Sequence, residues 1–119
     1  MKRPEKVLEV RFYKSDAGRM PVQEWLKGLS RSDKKTIGED LKTVEFGWPL
    51  GMPVVRKMEK DLWKVRSELG SRRTARILFT IYETFIVLLH GFIKKSKKTP
   101  PGDLRLAKDR TKSFLKGEK

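Results

Sequence analysis

Lys64 and Arg66 stand two residues apart in the run Leu62–Leu69, and Arg76 stands in the next run, Thr74–Tyr82. Both runs alternate apolar and polar residues with the period of a strand, so alternate side chains share a face. Trp63, Val65, Ser67 and Leu69 fall on one face and Lys64, Arg66 and Glu68 on the other. Ala75, Ile77, Phe79 and Ile81 oppose Arg76, Leu78 and Thr80. If the two runs pair about Gly70-Ser71-Arg72, Arg66 faces Arg76 across the ladder and Lys64 lies one pleat away. Like charges placed opposite destabilise a sheet, so a ligand that brings the counter-charge is the natural reason to keep them. Glu68 is the only acid among the polar-face residues of these strands. The plainer alternative is one solvated polar face, which antiparallel sheets commonly have.

The cations continue beyond that pair. Lys94, Lys95, Lys97 and Lys98 follow the apolar strand Phe85–Leu89, giving a basic rim where a core strand reaches the surface. Arg72 and Arg73 cap the other end of the face, and Lys57 joins Arg72, Arg73, Lys97 and Lys98 as a candidate RNA-binding residue. His90, the only histidine, has two readings. A two-residue turn at Glu83-Thr84 pairs it with Ile77 and buries it. A one-residue change in loop length pairs it with Arg76 on the basic face.

These residues suit one chemistry. The chain shows no paired carboxylates, no nucleophile elbow, no phosphate-cradling glycine loop and no metal-ligand cluster, so neither a metal nor another cofactor is expected. Cations and an imidazole suffice to cleave RNA through its own 2′-hydroxyl. That reaction needs a base for the hydroxyl proton, positive charge on the pentacovalent phosphate, and an acid for the leaving oxygen. A lysine crowded by cations has a depressed pKa and can carry protons as well as clamp phosphate.

Composition agrees with a polyanionic partner. Lys and Arg number 29 against 15 Asp and Glu, a formal net charge of +14. Such a surplus destabilises a compact chain by self-repulsion and suits nucleic acid first, anionic membrane second. The absence of cysteine removes disulfides, thiolate catalysis and zinc-finger spacing, and fits a reducing compartment. No apolar run approaches the ~18–20 residues of a membrane span. The N-terminus, MKRPEKVLEVRF, has no signal-peptide core, so a cytoplasmic protein is expected.

The elements that must position the cations follow in order. Val7–Tyr13 reads as a strand with Leu8, Val10 and Phe12 on one face. Pro21 suits a first helical position, and Val22, Trp25, Leu26 and Leu29 form the stripe of a short helix ending near Gly28. Ser30 and Asp33 resemble a capping box that opens a second helix with Ile37, Leu41 and Val44 inward. Gly47–Pro53 is a rigid loop, with Trp48 packed beneath it. A short lead-in strand at Val54–Met58 precedes the two cationic runs and Phe85–Leu89. After Thr99, whose residue type suits an N-cap, a last helix places Leu104, Ala107, Thr111 and Leu115 on one face. The expectation is a single α+β domain over residues 1–119, with a charged tail from about 116. Its order is β-α-α-β-β-β-α, a helical hairpin on a twisted antiparallel sheet.

That order, with FGWPLGMPVVRKME, LWKVRS, RRTARILFTI and LLHGFIKKSKKTP, resembles the RelE/ParE superfamily of toxins, and within it the phage-derived HigB-like branch of type II toxin–antitoxin systems. The resemblance runs from about Leu8 to Ala107, and its most specific block is LHGFxKKxxKTP. It implies a metal-independent endoribonuclease that cuts mRNA, commonly on the ribosome, and a cognate antitoxin, usually a helix-turn-helix protein. By position, the RelE-type catalytic lysines fall on Lys64 and Arg66, the arginine of the following strand on Arg76, and the basic residue after the last strand on Lys94 or Lys95. RelE also uses a tyrosine near its C-terminus. This chain has none after Tyr82, which leaves the general base open between His90 and a lysine. ParE-type members inhibit DNA gyrase instead, and a plain basic nucleic-acid-binding module is a third class, although such modules interleave exposed aromatics for stacking.

Overall fold

The computed structural model describes residues 5–51, 54–94 and 99–117, so Lys95, Lys97 and Lys98 lie outside the described residues. The elements are β1 (Glu9–Phe12), α1 (Pro21–Lys27), α2 (Arg31–Gly47), β2 (Val55–Glu59), β3 (Leu62–Glu68), β4 (Thr74–Tyr82), β5 (Phe85–Lys94) and α3 (Pro101–Gly117). They form one five-stranded sheet in the order β1-β5-β4-β3-β2. Among the described residues, no helix is long and apolar enough to cross a membrane.

The architecture is α+β. The lead-in strand expected at Val54–Met58 is present as β2, so four consecutive strands form the antiparallel meander, one more than the order β-α-α-β-β-β-α counts. The sheet is mixed rather than wholly antiparallel as expected, because β1 runs parallel to β5, with Val10 opposite Ile86. Short turns dictate antiparallel neighbours only between strands consecutive in sequence. β1 and β5 are joined by no such turn, so nothing local reveals their pairing. The end of α2 holds β1 in place. The Glu45 carbonyl accepts from the backbone N–H groups of Val7 and Leu8, and its carboxylate accepts from that of Val10 at 2.9 Å.

α1 and α2 cover one face of the sheet as the apolar stripes require. Pro21 opens α1, whose Val22 is buried, and Gly28 closes it. Ser30 caps α2 by accepting from the Asp33 N–H at 3.1 Å. The core beneath comprises Ile37, Leu41 and Val44 from α2 with Val55, Val65, Ile77, Phe79, Ile86 and Leu88 from the sheet. Trp48 packs edge-on against Trp63 at 5.4 Å and Phe79 at 5.9 Å, closing the loop after α2. Gly91 is required by packing: a Cβ there would overlap the six-membered ring of Trp25, so α1 rests directly on the β5 backbone.

The second face is not a solvated polar surface. α3 lies on it and builds a second core from Tyr13, Leu62, Leu78, Val87, Leu89, Ala107 and Phe114. The sheet is therefore covered on both sides. On this face Arg11 of β1 lies over the Phe85 and Phe114 rings, while Lys64 and His90 are met by residues at the start of α3.

Candidate functional site

Strand register brings the cations together. On the α3 face, Arg56 lies opposite Lys64, Lys64 opposite Leu78, and Leu78 opposite His90, making one row across four strands. In the next row Arg66 lies opposite Arg76, as the alternation predicts, and Arg76 opposite Phe92. Beyond it Glu68, Thr74 and Lys94 form a third row. Lys94 sits over the Phe92 ring, 6.0 Å from its centroid.

Burial on this face is deep. Arg76 is 1% exposed and Lys64 6%. Arg66 is more open, its side chain 38% exposed, with its Nε 3.1 Å from the Glu68 carboxylate. Lys64 and Arg76 both lie on inner strands of the sheet, and Thr99, just before α3, meets Lys64. Lys64 Nζ donates to the Thr99 hydroxyl at 3.3 Å. Burial lowers the Lys64 pKa most, followed by the charges of Arg76, Arg56 and Arg66. Burial and then the charge of Arg66 also disfavour the charged form of Arg76, with Glu68 opposing. A guanidinium stays protonated nonetheless, so the proton that can move in this cluster is on Lys64.

A β-bulge decides the face of His90. The Glu83-Thr84 turn sets Tyr82 opposite Phe85, and that register continues to Phe79 opposite Leu88. Continued further, it would place His90 opposite Ile77, toward the α1–α2 core. One extra residue, Leu89, intervenes, and His90 pairs with Leu78 instead. The histidine thus joins the cationic face by a route that neither loop-length reading contained. Its Nε2 lies 2.6 Å from Asp103 Oδ1 in the first turn of α3.

A second bulge removes Lys57 from the site. The β2–β3 turn sets Glu59 opposite Leu62, a register that would bring Lys57 opposite Lys64. The irregularity between Lys57 and Glu59 shifts it, so Lys57 pairs with Trp63 on the opposite face. It stacks there over the Trp63 ring at 5.9 Å. Arg56 takes its place beside Lys64. Arg73 has another occupation: its guanidinium grips Asp33 through two bonds of 2.9 and 3.1 Å, and its Nε donates to the Gly70 carbonyl. That fork ties the β3–β4 turn to the start of α2. Arg72 is exposed at the turn, with a left-handed φ of 61°.

Four residues of this region are absent from the sequence-derived site: Arg56, Thr99 (read there only as a cap), Asp103 and Arg110. Arg110 Nη1 donates to the carbonyl of the bulged Leu89 at 2.8 Å. Strand alternation finds only residues whose register is set by the adjacent turn. All four owe their place to a bulge or to the docking of α3. Among the described residues no three His, Cys, Asp or Glu side chains gather into a metal-binding set.

Chemically, the region offers a cationic floor, one lysine whose proton is loosened, and a carboxylate-held imidazole in the same row. No curated protein matches the sequence. The profile of the family described as "Phage derived protein Gp49-like (DUF891)" matches residues 24–112. That span includes all three cationic rows, His90, Asp103 and Arg110. The chain therefore belongs to the phage-derived Gp49-like family, a RelE-like family of toxins in toxin–antitoxin systems.

Proposed function

We propose that this toxin is a metal-independent endoribonuclease of the HigB-like kind, which cuts mRNA on the ribosome and is silenced by a helix-turn-helix antitoxin. The observation that carries the reading is the clustering of Arg56, Lys64, Arg66 and Arg76 on one face, with Glu68 of the adjoining row paired with Arg66. Clustered buried charge weakens a fold unless a ligand answers it, and the scissile phosphate of RNA does so.

The roles follow from depth. Arg66, the most open of the inner cations, meets the phosphate oxygens directly. Arg76 acts from beneath, its charge felt strongly through a poorly screening layer. Lys64, with its lowered pKa, is the base: the RNA 2′-hydroxyl replaces the Thr99 hydroxyl at Nζ and gives up its proton there. Attack on phosphorus follows, and the negative charge that develops on the phosphate lies over Arg66 and Arg76. A well-placed cation of this sort contributes about 3–4 kcal/mol to lowering the barrier.

The experiment is induction of the toxin followed by mapping of mRNA 5′ ends. New ends within translated regions, appearing before growth stops, are expected, and they should be absent after induction of Lys64→Met. Intact mRNA accompanied by altered DNA supercoiling would overturn the reading in favour of gyrase inhibition.

A further inference from the structure

We propose that α3 builds the general acid of this site: Asp103 fixes the imidazole of His90, Arg110 fixes the bulge that presents it, and His90 protonates the departing 5′-oxygen. The inference rests on the RNA-cleavage reading above and adds the second proton carrier which that reaction needs.

Three observations support it. An ionised carboxylate only accepts hydrogen bonds, so His90 Nε2 carries a hydrogen toward Asp103 and leaves Nδ1 as the nitrogen that exchanges protons. The two side chains are 18% and 24% exposed, sheltered yet within reach of a ligand. His90 also shares a row with Lys64, two strand spacings away across the buried Leu78, or about 10 Å between Cα atoms. A phosphate over the Arg66–Arg76 row would have Lys64 on its β3 side and His90 on its β5 side, with Leu78 buried under α3 between them. In-line displacement at phosphorus requires this arrangement, since the entering and leaving oxygens lie on opposite sides.

Arg110 makes the arrangement depend on α3. Its guanidinium donates to the Leu89 carbonyl and lies over the Tyr13 ring, 5.6 Å from the centroid. The extra residue of a bulge leaves a carbonyl outside the regular ladder, and a buried one needs a donor. A cation placed there holds the one-residue shift that turns His90 from the α1–α2 core to the cationic face. The charged groups around the imidazole are Asp103 and Arg110 from α3, Lys64 and Arg76 from β3 and β4, and Lys94 beyond Phe92 on β5.

The step balances without a further reactant. The bond from the 2′-oxygen to phosphorus forms as the bond from phosphorus to the 5′-oxygen breaks. The 2′-hydroxyl proton passes to neutral Lys64, and the Nδ1 proton of His90 passes to the 5′-oxygen. Water then restores both groups.

A leaving-group substitution tests the assignment. Two RNAs with one cut site are compared on ribosomes, one with the natural 5′-oxygen and one with sulfur in its place; a thiolate departs without protonation. His90→Gln should slow the oxygen substrate by about 10²–10⁴-fold and leave the sulfur substrate nearly unaffected. Asp103→Asn and Arg110→Met should show the same asymmetry to a smaller degree, and Arg110→Lys, which keeps a donor for the Leu89 carbonyl, should recover the oxygen substrate. Lys64→Met should slow both. The single histidine gives a second readout, because its hydrogen-bonded Nε2–H resonance should vanish in Asp103→Asn. Should Arg110→Met fail to fold, Arg110→Lys decides the clamp, and loss of the oxygen substrate in that variant would refute it. Equal slowing of both substrates by His90→Gln, or of neither, overturns the acid role alone. Wild-type protein that cleaves neither substrate overturns the nuclease reading, and the acid role with it.

Discussion

At the scale of single residues, Lys64 bears the most conflicting demands. Its amine is nearly out of water and is surrounded by Arg76, Arg56 and Arg66, all of which push its pKa down. Its folded-state value therefore lies below its unfolded one. The resulting penalty on stability is complete below the folded value and fades as pH climbs toward the ordinary lysine range. Lys64→Met should accordingly abolish cleavage while leaving the domain as stable or up to about 4 kcal/mol more stable, with the gain largest at neutral pH and shrinking in alkali. Chemical denaturation across pH measures this. The two arginines should separate. Arg66→Ala should leave stability within about 0.5 kcal/mol and slow cleavage, whereas Arg76→Ala should lose activity and also melt earlier, since the deeply buried side chain supports its neighbours. Equal stability losses in both would contradict the depth assigned to them. The pairing of Arg66 with Arg76 was legible from two-residue alternation and a short hairpin. The burial of Arg76 and Lys64 was not, because alternation assigns a face and does not say what covers it; α3, which packs on that face, follows them in sequence.

Among the elements, two one-residue bulges decide membership of the site. Turn-based register places His90 toward the core and Lys57 beside Lys64. The bulges in β5 and β2 exchange these outcomes, bringing in His90 and Arg56 and expelling Lys57. Alternation carries no mark of a bulge, and its stabilising contact here, Arg110 on Leu89, lies 21 positions away in the chain. The α1 stripe and Gly91, by contrast, were readable separately, and their meeting explains both. Gly91→Ala should push Trp25 off β5 and cost about 1–3 kcal/mol by overpacking; an unchanged melting temperature would show that α1 yields freely. The Asp33–Arg73 fork links the start of α2 to the β3–β4 turn. The Arg73 hydrogen bond holds the Asp33 carboxyl below its ordinary pKa, so the contribution is present above about pH 4 and is lost as pH falls further. Asp33→Asn should therefore destabilise the domain at neutral pH and converge with the wild type in acid, as thermal melts at several pH values would reveal.

Over the whole molecule, a net charge of +14 is spread on a domain whose sheet is covered on both faces. On the α3 face the rows of Arg56 and Lys64 and of Arg66 and Arg76 lie beside the start of that helix. A toxin–antitoxin family implies a partner that holds the toxin silent. Helices, meander and cationic pairing could be anticipated because local periodicity and short turns encode them. The parallel β1–β5 pairing and the three-layer arrangement could not, since both join parts distant in sequence. The most direct test of the central claim is the end chemistry of the RNA product. Wild-type toxin acting on ribosome-bound mRNA should leave a 5′-hydroxyl downstream and a 2′,3′-cyclic phosphate or its opened form upstream, and a single 2′-deoxy substitution at the cut site should abolish cleavage. Products with 5′-phosphates, or undiminished cleavage of the 2′-deoxy substrate, would contradict it.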